Sequence, residues 1–345
     1  MNGVYDHDTA VAVFHKQREW RKKGKIAQPG RATESFFERL GLIFTRQIIP
    51  ATITDAVLKD VIANHPDGVT AALYSKYAKS KDPDPKKRKS KDISSAEFPL
   101  QAGIFAANQK AVGLTGGAIT LGIAVPITEL GQVIETVQSI HRGLADKYTQ
   151  SLPASDTSKP PAPPAWTRVK NLALFSHGED FGMGLNAENA FMHGGLHSTG
   201  NALNPPNVLA LVRGLSEAIA PDVRVQLFAC LTAHDTKRSD YQEWTGHKQG
   251  ERTGADSFAA TLAKDMGPDA SVYAHTTAGH TTENFAARVF GKDAGAGKGG
   301  LQLFDLMYPE SFISAQLQAL FPGKTQDAWN ALHDSLRDQM WAHFK

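Results

Sequence analysis

The clearest pattern of apolar and polar positions lies between residues 166 and 290. Val169 to Phe175 is a strongly apolar run, and Ser176-His177-Gly178 closes it ahead of an expected glycine-rich loop. Asn207 to Ala220 then places Val208, Leu211, Val212, Leu215 and Ile219 at helical spacing. Val223 to Ala229 is a second apolar run, and it ends at Cys230. Thr253 to Met266 puts Ala255, Phe258, Ala259, Leu262 and Met266 on one helical face, with Gly267-Pro268 as the stop. Ser271 to His275 reads as a third short strand. Strand, helix, strand, helix, strand predicts a parallel sheet with right-handed crossovers.

The flanking patterns are weaker. Glu129 to Tyr148 predicts an amphipathic helix with Leu130, Val133, Ile134, Val137, Ile140 and Leu144 on one stripe. Residues 98–128 alternate short apolar runs with glycines, which predicts one or two strands. Within them, Ala111 to Thr128 is uncharged over nearly a membrane's thickness. Gly113, Gly116, Gly117, Gly122 and Pro126 make it a buried strand and turn rather than a stable membrane span. Asp55 to Ile62 and Val69 to Tyr77 both show helical periodicity. Thr9 to Trp20 reads as a helix, and Thr33 can cap another bearing Phe36, Phe37 and Leu40. Asp327 to Lys345, with Trp329, Leu332, Leu336, Met340 and Trp341, predicts a C-terminal helix packed on the core.

Two stretches break these patterns. Residues 79–92 combine a run of like charges with two prolines, and 151–165 are rich in proline. Both read as exposed loops open to proteolysis. The expected organisation is therefore a helical N-terminal region over 1–95, with its basic linker at 79–92, and an α/β domain over 96–345 with its core at 166–290.

Composition narrows the classes. Apolar residues make up 41% of the 345 and charged residues 21%, enough for a packed core. The formal net charge is only +2, so the chain as a whole does not read as a nucleic-acid binder. Met1 to Asp8 has neither a basic n-region nor an apolar h-region, so a classical signal peptide is not expected. The expected location is the cytoplasm, or outside the cell by a route without such a peptide.

The chain holds one cysteine, Cys230, so no disulfide can form within it. A lone cysteine is most often an inert core residue, and a strand-end histidine is most often structural. Their placement argues for more. Open parallel sheets bind ligands beyond the C-terminal ends of their strands. His177 and Cys230 each follow an apolar strand, and one crossover joins the two strands. A thiol near pKa 8.5 is mostly protonated at neutral pH, and an adjacent imidazole can take its proton. The thiolate then attacks a carbonyl and the histidine protonates the leaving amine. Gly178 can lend a backbone N–H to an oxyanion. Ser176, Asp180, His234 and His275 fall near the same edge and are expected to line it.

These motifs, an apolar strand with Ser176-His177-Gly178 and an apolar strand with Ala229-Cys230, resemble the caspase-like cysteine peptidases, the group of caspases, gingipains, legumains and separases. The histidine precedes the cysteine by about 50 positions, as in caspases. The resemblance covers residues 166–290. It implies a three-layer α/β fold with a mostly parallel sheet, a protein or peptide substrate, and no cofactor. It also implies a Cys230 thioester. Separately, the exposed loops at 79–92 and 151–165 suggest self-processing. Phe228-Ala229-Cys230-Leu231-Thr232 departs from the Gln-Ala-Cys-x-Gly form, so the glycine amide of that oxyanion hole is not carried over. Arg213, Arg224, Arg238 and Arg252 are available, but none is assigned to a specificity pocket.

Other readings compete. His193 and His197 stand four apart, a zinc-chelating interval on a helix. Gly194 and Gly195 disfavour that helix, and no glutamate follows His193. A metal-dependent hydrolase using this histidine cluster, with His177 or Asp180 as further ligands, is one alternative. A non-catalytic binding module of the same fold is another. No Gly-x-Ser-x-Gly elbow is present, and the glycine-rich run 291–300 lacks a phosphate loop's Lys-Ser/Thr ending. Thr9-Ala10-Val11, Phe14-His15, Trp20, Gly24 and Gly30-Arg31-Ala32-Thr33 are similar to the second half of small three-helix peptidoglycan-binding modules. That similarity implies a peptidoglycan contact through residues 9–40 and an exported bacterial effector. A plain helical segment packed on the catalytic domain is the competing reading.

Overall fold

The computed structural model describes residues 48–76, 94–152, 162–179, 182–185, 196–197, 207–233, 255, 257–275 and 287–296. The expected helices within 1–45 and at 327–345, the 79–92 linker, most of the 151–165 loop, Asp180, His193 and His234 lie outside them.

The chain enters through α1 (Asp55–Asn64), whose first turn is capped by the Thr54 hydroxyl accepting from the Val57 amide. Strand β1 (Val69–Ser75) follows, then α2 (Ser94–Asn108). Next come the hairpin β2 (Val112–Thr115) and β3 (Ala118–Leu121), the short β4 (Val125–Ile127), and α3 (Leu130–Ser151). Strand β5 (Val169–Phe175) leads into three short strands, β6 (His177–Glu179), β7 (Gly182–Gly184) and β8 (Leu196–His197). Then come α4 (Val208–Leu215), β9 (Ile219–Phe228), α5 (Phe258–Met266), β10 (Ser271–His275) and β11 (Ala287–Gly291).

Six strands form one sheet in the order β11-β10-β9-β5-β1-β4. All neighbours pair parallel except β11, which runs antiparallel to β10. The strand order reverses between β1 and β5, the topological switch point of the sheet. Alternate residues feed two cores. On one face Leu73, Leu172, Leu174, Val225, Leu227 and Val272 pack with α1, α3, α4 and α5. On the other, Ala72, Ala173, Phe175, Phe228 and Tyr273 pack with Phe98, Ala102, Phe105 and Ala106 of α2. The fold is thus α/β, with a mostly parallel sheet and helices on both faces.

The structure alters four expectations. Val69–Ser75 is a strand, not a helix, and it pairs with both β4 and β5, so the sheet begins well before residue 96. A central parallel strand is buried on both faces, and its continuous apolar run cannot be told from a buried helix by period alone. Residues 98–108 belong to helix α2 despite Pro99, and the expected strands of 98–128 start only at Val112. The helix expected to reach Ala220 ends at Leu215, and Ile219 pairs with Val169 on β5. The ladder there is irregular, which accommodates Pro221. Finally, β6, β7 and β8 form an antiparallel sheet directly after β5, where a glycine-rich loop is expected.

Candidate active site

Parallel pairing aligns the ends of β5 and β9. Leu174 stands opposite Leu227 and Phe175 opposite Phe228. The Ser176 amide extends the ladder by donating to the Phe228 carbonyl at 3.2 Å. His177 and Cys230 each lie two residues beyond the Phe175–Phe228 pair, so the topology brings them to the same edge of adjoining strands.

Gly178 makes the approach close. A Cβ built on it would strike the carbonyl oxygen of Cys230 and lie 2.8 Å from the Ala229 Cβ and 2.9 Å from the Thr232 Cγ2. Real Cβ contacts do not come that near. Only glycine lets the chain leaving His177 press onto the turn that carries Cys230. His177 itself opens β6, whose register pairs His177 with Gly184 and Gly178 with Met183. The histidine backbone is therefore held in a ladder rather than in a loose loop.

The cysteine turn is anchored on several sides. The Thr232 hydroxyl donates back to the Ala229 carbonyl at 3.1 Å. The Ala233 amide donates to the His275 carbonyl at 2.9 Å, and the Ala259 amide to the Thr232 carbonyl at 2.9 Å. An Arg288 guanidinium nitrogen reaches the Ala233 carbonyl at 3.4 Å. These contacts tie the turn to β10, α5 and β11. Leu231, next to the cysteine, has φ +57°, a left-handed conformation that a leucine rarely takes. Strained residues of this kind persist where the surroundings hold them, and they cluster at functional sites.

His177 and Cys230 are both half-buried. The His177 ring packs edge-to-face on Phe98 of α2, with centroids 5.0 Å apart and planes at 81°. His275 is buried at the end of β10. Ala274 pairs with Leu227, which sets His275 beside Phe228, and their ring centroids are 6.3 Å apart. It thus stands two residues inside the level of Cys230. The buried Ser176 hydroxyl donates to the Gly184 carbonyl and clasps the β5–β6 junction to β7. Of the expected histidine cluster, His197 lies in β8 with its backbone opposite Gly182. Among the described residues no group of three His, Cys, Asp or Glu side chains could hold a metal ion, and no helix is long and apolar enough to cross a membrane.

Phe98, Thr232 and Arg288 are not among the residues expected at this edge. Phe98, Ala102, Phe105 and Ala106 do carry the helical spacing that would have flagged the first. Arg288 acts through a contact with Ala233, and Thr232 through its carbonyl's bond to Ala259, both between segments distant in the chain. No family model matches the chain, and no curated protein or solved structure matches it.

The arrangement brings the backbones of His177, Gly178 and Cys230 together at the C-terminal edge of a parallel sheet. An imidazole can exchange a proton with a thiol and then with a leaving group. Such a trio suits nucleophilic attack on an acyl carbon.

Proposed function

We propose that this protein is a cysteine hydrolase of caspase-like type that cleaves peptide bonds. The observation that carries the reading is the seating of Gly178 against the carbonyl of Cys230, which ties the histidine strand end to the cysteine turn. The α/β sheet and the order of His177 before Cys230 support the same reading.

In this mechanism His177 takes the Cys230 proton, and the thiolate sulfur attacks the scissile carbonyl carbon. The C–N bond breaks, His177 gives its proton to the leaving amine, and an acyl thioester remains on Cys230. Water attacks the thioester and loses a proton to His177. The acid departs and the thiol is restored. The Gly178 amide serves as one donor to the oxyanion of each tetrahedral intermediate.

The test is the alkylation of Cys230 by iodoacetamide at neutral pH, followed by mass spectrometry. Labelling well above the rate of an ordinary thiol, lowered by His177→Ala, is expected. Incubation with a mixed peptide library should yield cleavage that Cys230→Ala abolishes. Labelling no faster than a free thiol, with no cleavage, would overturn the reading and leave a binding module of the same fold.

A further inference from the structure

We propose that the basic run between β1 and α2 is a proteolytic processing site, and that a cut there yields a folded protein of two chains. The inference stands apart from the Cys230–His177 reading. It starts from the place of β1 in the sheet. Residues 48–76 precede the run, and they are not an appended unit. Strand β1 lies between β5 and β4 and pairs parallel with both. Val69, Ala72, Leu73 and Ser75 are wholly buried. Both edges of β1 are therefore bonded to strands that follow the run, and a cut in the run leaves those bonds in place. Contacts outside the ladder repeat the pattern. The Val69 amide donates to the Arg168 carbonyl at 2.8 Å, and the Lys76 amide to the Ile127 carbonyl at 2.7 Å. Asn171 donates from Nδ2 to the Thr70 hydroxyl at 3.2 Å. Ahead of α1, the Ala51 amide donates to the Ser139 carbonyl at 3.3 Å, and the Ile119 amide to the Thr52 carbonyl at 2.7 Å. A Cβ on Gly143 of α3 would strike the Ala51 carbonyl oxygen. Each of these contacts joins a residue before the run to one after it.

The run carries the chemistry that invites a cut. Lys86-Lys87-Arg88-Lys89 follows Pro83 and Pro85 in a stretch of like charges. Such a composition offers no apolar surface to bury, and successive basic side chains suit a protease with an acidic specificity pocket that cleaves after Lys or Arg. The cut is a hydrolysis. Water adds across one peptide bond, leaving a carboxylate on the first chain and an ammonium group on the second. Both flanks of the run stand at the C-terminal edge of the sheet. Tyr74, near the end of β1, pairs with Phe175, two residues before His177. Phe98, near the start of α2, sets its ring centroid 5.0 Å from that of His177. Processing thus opens a connection beside the candidate site while every strand of the sheet stays in place.

The experiment is brief trypsin treatment of the full chain at neutral pH, read by mass spectrometry and size exclusion. The first cut should fall after one of the residues Lys86 to Lys89. The two pieces should elute together at the volume of the uncut chain and part only in denaturant. The unfolding midpoint of the cut protein should rise with protein concentration, because its folding is now also an association. Cys230→Ala should give the same two chains, which separates this outcome from self-cleavage. The combined variant Lys86→Ser, Lys87→Ser, Arg88→Ser and Lys89→Ser should lose these products. A further variant carries the recognition sequence of a site-specific protease in place of Lys86–Asp92, so that retention is measured after a single defined cut. A first tryptic cut outside 79–92 would overturn the run as a processing site. An N-terminal piece that elutes by itself after the defined cut would overturn the two-chain form.

Discussion

The carbonyl oxygen of Cys230 lies against the α-carbon of Gly178, in the space a side chain would fill. The contact joins residues far apart in the chain, and it leaves no room between the strand-end turn and the hairpin.

Gly178→Ala should therefore cost stability and disturb the site together. Overpacking of a well-filled contact costs about 1–3 kcal/mol. The blocking atoms include backbone, so relief requires the His177 strand and the Cys230 turn to part. Denaturant unfolding should show the loss, and iodoacetamide labelling of Cys230 should fall towards the rate of a free thiol. Unchanged stability and labelling together would refute the contact.

Leu231 offers a test with the opposite sign. Its φ of +57° costs a non-glycine residue about 1–2 kcal/mol. Glycine takes this conformation freely but loses roughly 0.5–1 kcal/mol in extra chain entropy on folding. Leu231→Gly should thus raise the unfolding free energy by up to about 1.5 kcal/mol. Leu231→Val should lower it, because a β-branched side chain suits that region least. A glycine variant less stable than the valine variant would show that leucine contacts, not backbone strain, govern the turn.

Two histidines at the opposite edge of the sheet make stability depend on acid. His65 donates from Nε2 to the Lys110 carbonyl at 2.9 Å, and His141 from Nδ1 to the Thr167 carbonyl at 2.9 Å. Burial is the main cause holding both below the usual imidazole value of 6.5, and the carbonyl bonds only partly offset it. Between the lowered folded value and 6.5 the unfolded chain binds more protons. Their stabilisation is complete above 6.5 and is lost as the pH falls through that window. The carboxylates of Asp55, Asp222 and Asp293 are held below their ordinary value of 3.8, so their loss comes at lower pH. Unfolding midpoints at pH 7.5 and 5.5 should therefore differ, and His65→Gln with His141→Gln should flatten the difference. An equal pH dependence in the double variant would exclude these two rings as its source.

The candidate site was legible in part because its residues lie at places a one-dimensional pattern marks. The apolar run Val169–Phe175 stops at a polar tripeptide, and Val223–Ala229 stops at the only cysteine. Such endings are readable, since burial demands an unbroken run and the strand edge releases it. Helices α3 and α5 were equally plain, because an amphipathic stripe repeats along the chain. Val69–Ser75 was misread for the converse reason. Surrounded on both faces, it has no polar alternation to declare its period.

By itself, then, the amino-acid sequence determined the α/β class, the strands that end at His177 and Cys230, and the stripes that bury α3, α4 and α5. All of these follow from local spacing of apolar residues. The tertiary structure alone decided that β1 lies in the middle of the sheet, that α2 covers the face leading to His177, and that Gly178 closes on the Cys230 carbonyl. It also decided that Leu231 is forced to positive φ. These are contacts between segments distant in the chain, set by which surfaces pack together, and local periodicity carries no record of them.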